Sequence, residues 1–156
     1  MNELAGQIIE AAYQKAIRIT TAESCTGGMV AATLTDIAGA SQVFERGFVT
    51  YSNQAKTDLL GVSPALLQEK GAVSKEVALA MATGAREKAD ADIAVSITGI
   101  AGPKGGSREK PVGLVHIAAA SKESTLHKEC HFFGTRLKIR QESVEAALAL
   151  LNQLLS

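Results

Sequence analysis

Tryptophan is absent from this 156-residue chain, and aromatic residues make up only 4% of it. So thin an aromatic content excludes the stacking platforms of single-strand nucleic-acid binders and the aromatic cradles of many carbohydrate sites. An excess of one charge is missing too, since 16 Lys and Arg balance 16 Asp and Glu. Nothing marks a nucleic-acid footprint or an attraction to acidic membranes, and any basic site must be local. Two cysteines, Cys25 and Cys130, make neither a disulfide framework nor a zinc spacing, which points to a reduced, cytoplasmic setting. Met1-Asn2-Glu3-Leu4 lacks the basic and apolar regions of a secretion signal. No run approaches the roughly eighteen apolar residues of a membrane helix. The expectation is a soluble protein with no nucleic-acid or membrane partner.

What the chain does have is 46% hydrophobic residues, 21% charged residues and 14 glycines, enough for one sizeable core. Glu3 to Lys15 sets Leu4, Ile8, Ile9 and Ala12 on one helical face. Ile17 to Thr21 is short and β-branched between two helical patterns, as a buried strand is. Thr26 to Asp36 carries Met29, Val30, Leu34 and Ile37 at helical spacing. Val43 to Tyr51 reads as a second strand, with Gly47 as a bulge or a close backbone approach. Asn53 caps a short helix to Leu60 that Gly61 closes, Ser63-Pro64 opens another that ends at Gly71, and Ser74 opens a long one to Lys88. Ile93 to Thr98 is a third strand. Val112 to Ala120 and Thr125 to Phe133 are two more, joined by Ser121-Lys122-Glu123-Ser124 as an antiparallel hairpin. A final helix runs from Arg136 to Leu154. No repeat or linker interrupts the chain, so residues 1–156 are expected to form one domain. The expected fold is α/β, a three-layer α/β/α sandwich with a mixed, mostly parallel sheet and one antiparallel hairpin.

Glu23-Ser24-Cys25-Thr26-Gly27-Gly28 concentrates the candidate chemistry. A strand stops there and a helical pattern begins, which offers a hydroxyl and free backbone N–H groups to a ligand. Ser24 has two readings, a helix N-cap or a nucleophile whose oxyanion those N–H groups stabilise. Gly27 and Gly28 let a ligand approach the backbone. Ala22 stands where the nucleophile elbow of the α/β-hydrolases has Gly. Cys25 is a second nucleophile candidate or a small buried neighbour. A serine nucleophile needs a base, and the histidines do not offer one. His116 lies mid-strand, and His127 and His131 share a strand face with Glu129, which reads as a polar face rather than a metal site. A buried lysine serves instead, because burial lowers its pKa and frees the amine lone pair. Lys56, just past Tyr51-Ser52-Asn53, is that candidate; its other reading is a solvated lysine on a short helix. The loop Gly99 to Gly106 follows a strand and either cradles an anion, with Lys104, Arg108 and Lys110 adding charge, or is a mobile surface loop. Arg136 and Arg140 oppose the dipole of the last helix; an anionic ligand explains them, as does an ion pair with Glu142 or Asp58.

Several blocks together closely resemble the C-terminal domain of the CinA (competence/damage-inducible) family. They are Ala22-Glu23-Ser24-Cys25-Thr26-Gly27-Gly28, Gly47-Phe48-Val49-Thr50-Tyr51 with Lys56, and Gly71-Ala72-Val73-Ser74. Thr98-Gly99-Ile100-Ala101-Gly102-Pro103, Gly105-Gly106 with Lys110-Pro111-Val112-Gly113, and Phe133-Gly134-Thr135-Arg136 continue the match. The resemblance spans nearly the whole chain without the family's larger N-terminal domain, which implies the stand-alone form. Stand-alone members are nicotinamide-nucleotide amidohydrolases. The resemblance therefore implies hydrolysis of nicotinamide mononucleotide (NMN) to nicotinate mononucleotide and ammonia in pyridine-nucleotide recycling, with no metal and no cofactor. It implies a serine–lysine pair, Ser24 as nucleophile and Lys56 as general base, with Tyr51 a further catalytic member. On that basis the N–H groups of Cys25 and Thr26 stabilise the oxyanion, and substrate contacts come from Gly27, Gly28, Thr98, Gly99, Gly102, Gly105, Gly106, Arg136 and Arg140. A homodimer or larger homo-oligomer is expected. Two other functions fit the same residues: an amidase of another small amide, or a non-enzymatic competence- or damage-linked protein that binds a nucleotide or a partner.

Overall fold

The computed structural model describes all 156 residues. Its elements run α1 (Asn2–Gln14), β1 (Ile19–Glu23), α2 (Met29–Thr35), a 3-10 turn (Ala40–Gln42), β2 (Phe44–Val49), α3 (Asn53–Leu60), α4 (Pro64–Lys70), α5 (Lys75–Ala89), β3 (Ile93–Gly99), β4 (Leu114–Ser121), β5 (Thr125–His131) and α6 (Arg136–Leu155). The strands form one sheet in the order β2-β1-β3-β4-β5. β1 pairs in parallel with β2 and β3, and β4 pairs antiparallel with β3 and β5. Four strands therefore point one way and β4 alone is reversed, which is the mixed, mostly parallel sheet expected.

The two-residue period of the strands sorts side chains onto two faces. Ile19, Val95, Ile97, Val115 and Ile117 pack with residues of α1, α2 and α6, including Ile8, Leu34 and Leu148. Ala22 and Ala94 pack on the opposite face with Val77 and Met81 of α5 and Leu60 of α3. Ala118 and Ala120 meet Ala78 and Ala82 there. Short side chains on both partners bring α5 close to the sheet. No helix is long and apolar enough to cross a membrane.

Two boundaries differ from the sequence reading. α2 begins at Met29 rather than Thr26, because Gly27 and Gly28 hold φ of +59° and +108° and prolong a turn before the helix. α3 is capped by Ser52, whose hydroxyl accepts from Ala55 N at 3.0 Å, so Asn53 is the first helical residue. Ser63, Ser74 and Thr135 cap α4, α5 and α6 in the same way. Gly47 is a close approach: a Cβ there would lie 2.8 Å from Thr21 Oγ1 and 3.3 Å from Ala31 Cβ.

The connections place the site. β1 reaches β2 through α2 on one face, and β2 reaches β3 through α3, α4 and α5 on the other. These paths diverge beyond the carboxyl end of β1, where open α/β sheets form a ligand crevice.

Candidate active site

Ser24 extends the pairing of β1 by one residue, donating its N–H to Ile97 O at 3.0 Å. Thr50 N–H donates to Glu23 O at 2.9 Å, which draws the chain leaving β2 alongside. α3 then turns Lys56 back over that segment. Lys56 and Leu60, one helical turn apart, are the buried residues of α3, so Lys56 holds a position usually given to an apolar side chain. It is 1% exposed. Its Nζ lies 2.9 Å from Ser24 Oγ, 2.9 Å from Thr50 O and 3.2 Å from Tyr51 O. Burial holds its pKa below the ordinary lysine value of 10.5, because desolvation disfavours the ammonium. A neutral amine donates its two N–H groups to those carbonyls and turns its lone pair to Ser24 Oγ. Once protonated, the same nitrogen gains a third donor while the carbonyls stabilise the charge. The arrangement can take a proton from the serine and hold it.

Ser24 does not cap a helix. Its Oγ lies 3.3 Å from Tyr51 O, and the N-cap position of α2 belongs to Gly28. The helix N-terminus is also closed to ligands, because Glu23 already occupies it. This buried carboxylate accepts from Val30 N at 2.9 Å, Ala31 N at 3.0 Å and Thr26 Oγ1 at 2.7 Å, placing a negative charge at the positive end of the helix. Sequence reasoning missed this role; a carboxylate six residues before a helix start is the faint signal it left. The N–H groups of Cys25 and Thr26 donate to no other residue, while Gly27 N–H donates to Ser24 O at 3.1 Å. From the far side of the turn, Arg140 donates through Nε to Cys25 O at 2.9 Å and through Nη2 to Thr26 O at 3.3 Å. The buried Cys25 thiol has its pKa pushed up to about 11, chiefly by desolvation, so at neutral pH it is protonated. Of the two nucleophile candidates at this turn, Ser24 alone has a base at hydrogen-bond distance.

A cavity of about 170 Å³ opens over the pair. Ser24, Cys25, Tyr51, Lys56, Thr98, Gly99 and Arg136 line it, and Asn53, Ala72, Val73 and Ala101 complete it. Of the last four only Asn53 has a polar side chain; Ala72 is drawn in by its carbonyl, which accepts from Thr98 Oγ1 at 2.8 Å. Thr26, Gly27, Gly28, Gly102, Gly105, Gly106 and Arg140 do not line this cavity. Tyr51 is 60% exposed at the rim, its hydroxyl accepting from Arg136 Nη2 at 3.0 Å, while Arg136 Nη1 donates to Gly102 O at 2.8 Å. A larger cleft of about 750 Å³ lies at the opposite end of the sheet, where Lys15 and Arg86 alternate with Asp92 and Glu123. It holds no nucleophile paired with a base, whereas the smaller cavity holds the Ser24–Lys56 pair. His116 Nδ1 and His127 Nε2 stand 2.9 Å apart on the sheet face, in a side-chain pair outside the cavity.

Known proteins share this arrangement of chain. Residues 1–155 match the family model described as the CinA C-terminal domain. The chain is 51% identical over 153 residues to a nicotinamide-nucleotide amidohydrolase of Escherichia coli K12, covering 97% of this chain and 92% of that protein. It is 55% identical over 130 residues to a CinA-like protein of Geotalea daltonii, covering 83% of this chain and 32% of that protein. The chain thus spans about a third of the length of such longer relatives. The crystal structure of the competence/damage inducible protein CihA from Agrobacterium tumefaciens superposes with a TM-score of 0.98 at 49% identity, covering 99% of this chain and 95% of that one. An Escherichia coli protein of the CinA superfamily superposes at 0.94 and 40% identity, covering 98% and 89% of the two chains.

Proposed function

Because the chain belongs to the CinA C-terminal domain family, we propose that it hydrolyses the carboxamide of NMN to nicotinate mononucleotide and ammonia, in pyridine-nucleotide recycling, using Ser24 and Lys56. The observation that carries this reading is the buried Lys56 Nζ at 2.9 Å from Ser24 Oγ; the name of the Escherichia coli relative supports the substrate. Lys56 in its neutral form takes the Ser24 proton as Oγ bonds to the carboxamide carbon. The oxyanion is met by backbone N–H groups of the turn, with Cys25 N–H the donor on the cavity wall and Thr26 N–H beside it. The tetrahedral adduct collapses, the C–N bond breaks, and Lys56 returns its proton to the departing ammonia. Water then gives a proton to Lys56 as its oxygen bonds to the acyl carbon. Collapse of that adduct breaks the C–Oγ bond as Lys56 passes the proton to Ser24 Oγ, releasing the acid, which ionises to the carboxylate. Tyr51 contributes its carbonyl to the lysine and, with Arg136, its phenol to the rim. The ribose phosphate lies outward toward Arg136 and the Gly99–Gly106 loop, and supplies the binding energy that orients the amide. Each proton transfer belongs to a side chain, so dialysis against EDTA is expected to leave the rate unchanged.

The test is ammonia release from NMN by wild type, Ser24→Ala and Lys56→Ala. Loss in both variants is expected. Equal release by wild type and Ser24→Ala would sink the serine mechanism, and turnover of other amides in preference to NMN would move the substrate.

A further inference from the structure

Arg140 sits beside the pair yet does not line the cavity. Its guanidinium meets two consecutive carbonyls of the nucleophile turn, Cys25 O at 2.9 Å and Thr26 O at 3.3 Å. A carbonyl and the following N–H belong to one planar peptide group and point opposite ways when it is trans. The Thr26 carbonyl therefore shares its group with Gly27 N–H, which donates to Ser24 O at 3.1 Å. The Ser24 carbonyl shares its group with Cys25 N–H, which donates to no other residue and belongs to a residue on the cavity wall. A cation thus heads a series of hydrogen bonds, Arg140 to Thr26 O, Gly27 N–H to Ser24 O, that ends on a free donor next to the nucleophile. Bonds in series polarise one another, and a charged donor strengthens the whole run. Gly27 fits this course: a Cβ there would stand 3.4 Å from Arg140 Nη2, at a φ of +59° that disfavours side chains. Glu23 holds the same turn from its other side through Thr26 Oγ1 at 2.7 Å.

We infer that Arg140 is a positioning residue of the oxyanion site, fixing the turn and strengthening Cys25 N–H through the two intervening peptide groups. This rests on the reading of Ser24 as nucleophile. It assigns Arg140 to the transition state and leaves the phosphate to other groups.

The test compares wild type, Arg140→Gln, Arg140→Lys and Ser24→Ala in kcat and KM for NMN, in affinity for pyridine-3-boronic acid, and in melting temperature. The boronic acid forms a tetrahedral adduct with a serine oxygen and lacks a phosphate. Arg140→Gln is expected to lower kcat about tenfold, less than loss of an oxyanion donor itself. KM stays within about twofold, since the ground state lacks the oxyanion, and boronate affinity falls by a factor similar to kcat. Arg140→Lys, which keeps the charge and one donor, recovers part of both losses. A rise in KM with unchanged kcat overturns the inference in favour of a phosphate ligand. A fall in kcat that follows melting temperature and spares boronate affinity overturns it in favour of a structural role. Ser24→Ala that still releases ammonia at the wild-type rate overturns the nucleophile reading beneath it, whatever the arginine variants do.

Discussion

At the scale of single residues, the proposed chemistry turns on a lysine that the fold keeps out of water. Desolvation lowers the Lys56 pKa, and a general base works only while unprotonated, so activity rises with pH through the folded pKa and levels off above it. The midpoint of that rise is expected below 10.5, the ordinary lysine value, and a pH profile of kcat/KM for NMN measures it. A midpoint at or above 10.5 would refute a depressed pKa. Lys56→Arg keeps much of the length and the hydrogen-bond donors but cannot become neutral at any accessible pH. It is expected to lower kcat by about a thousandfold, within the range of a lost general base. Cys25 carries the opposite expectation. Its thiol, with a pKa near 11, stays protonated at neutral pH and is a poor nucleophile. Cys25→Ala should keep kcat within about threefold, because its part in the scheme is a backbone N–H; loss of activity in this variant alone would transfer the nucleophile to Cys25.

At the scale of elements, Glu23 joins the end of β1 to the start of α2. Its carboxylate accepts three hydrogen bonds in a buried site. Glu23→Gln keeps one carbonyl acceptor and replaces the other oxygen with a donor facing a backbone N–H. The expected destabilisation is about 1–3 kcal/mol, read as a lower urea midpoint, and an unchanged midpoint would remove Glu23 from the account of the turn. Most elements were legible because their boundaries are chemical: Ser63, Ser74 and Thr135 are caps, and Gly61 and Gly71 are stops. α2 was less so. Gly27 and Gly28 fit a helical spacing in one dimension, and only their positive φ shows that the turn runs on to Met29. An expected open helix N-terminus became one filled by a carboxylate for the same reason.

At the scale of the whole molecule, three carboxyl strand ends and the start of α6 close on a cavity of about 170 Å³. That is below the roughly 300 Å³ at which pockets begin to enclose a drug-sized ligand, so the proposed site takes the pyridine carboxamide and leaves the phosphate at the rim. Arg136, held by Gly102 O and Tyr51 Oη, is the cation placed there. Arg136→Gln is expected to raise KM for NMN about tenfold, as loss of a charged hydrogen bond does, while kcat/KM for nicotinamide changes little. Steady-state kinetics on the two amides checks this, and equal losses on both would take the phosphate away from Arg136.

Composition, period and capping residues determined the layered α/β fold, the order of its elements and the short list from which the pair was drawn. Those are properties of neighbours along the chain, and neighbours along the chain set local conformation. Which hydroxyl meets which amine was decided by the tertiary structure. Lys56 lies 32 residues from Ser24, and by spacing alone it is a lysine on a short polar helix. It becomes a candidate base because parallel pairing of β1 and β2 sets α3 over the end of β1, buries the amine and surrounds it with carbonyls. Arg140 followed the same course. At the start of a helix it reads as a cation awaiting an anion, and only the packing of α6 against the turn directs its guanidinium to the Cys25 and Thr26 carbonyls. Burial and direction are set by what the fold brings alongside, and no spacing along the chain encodes them.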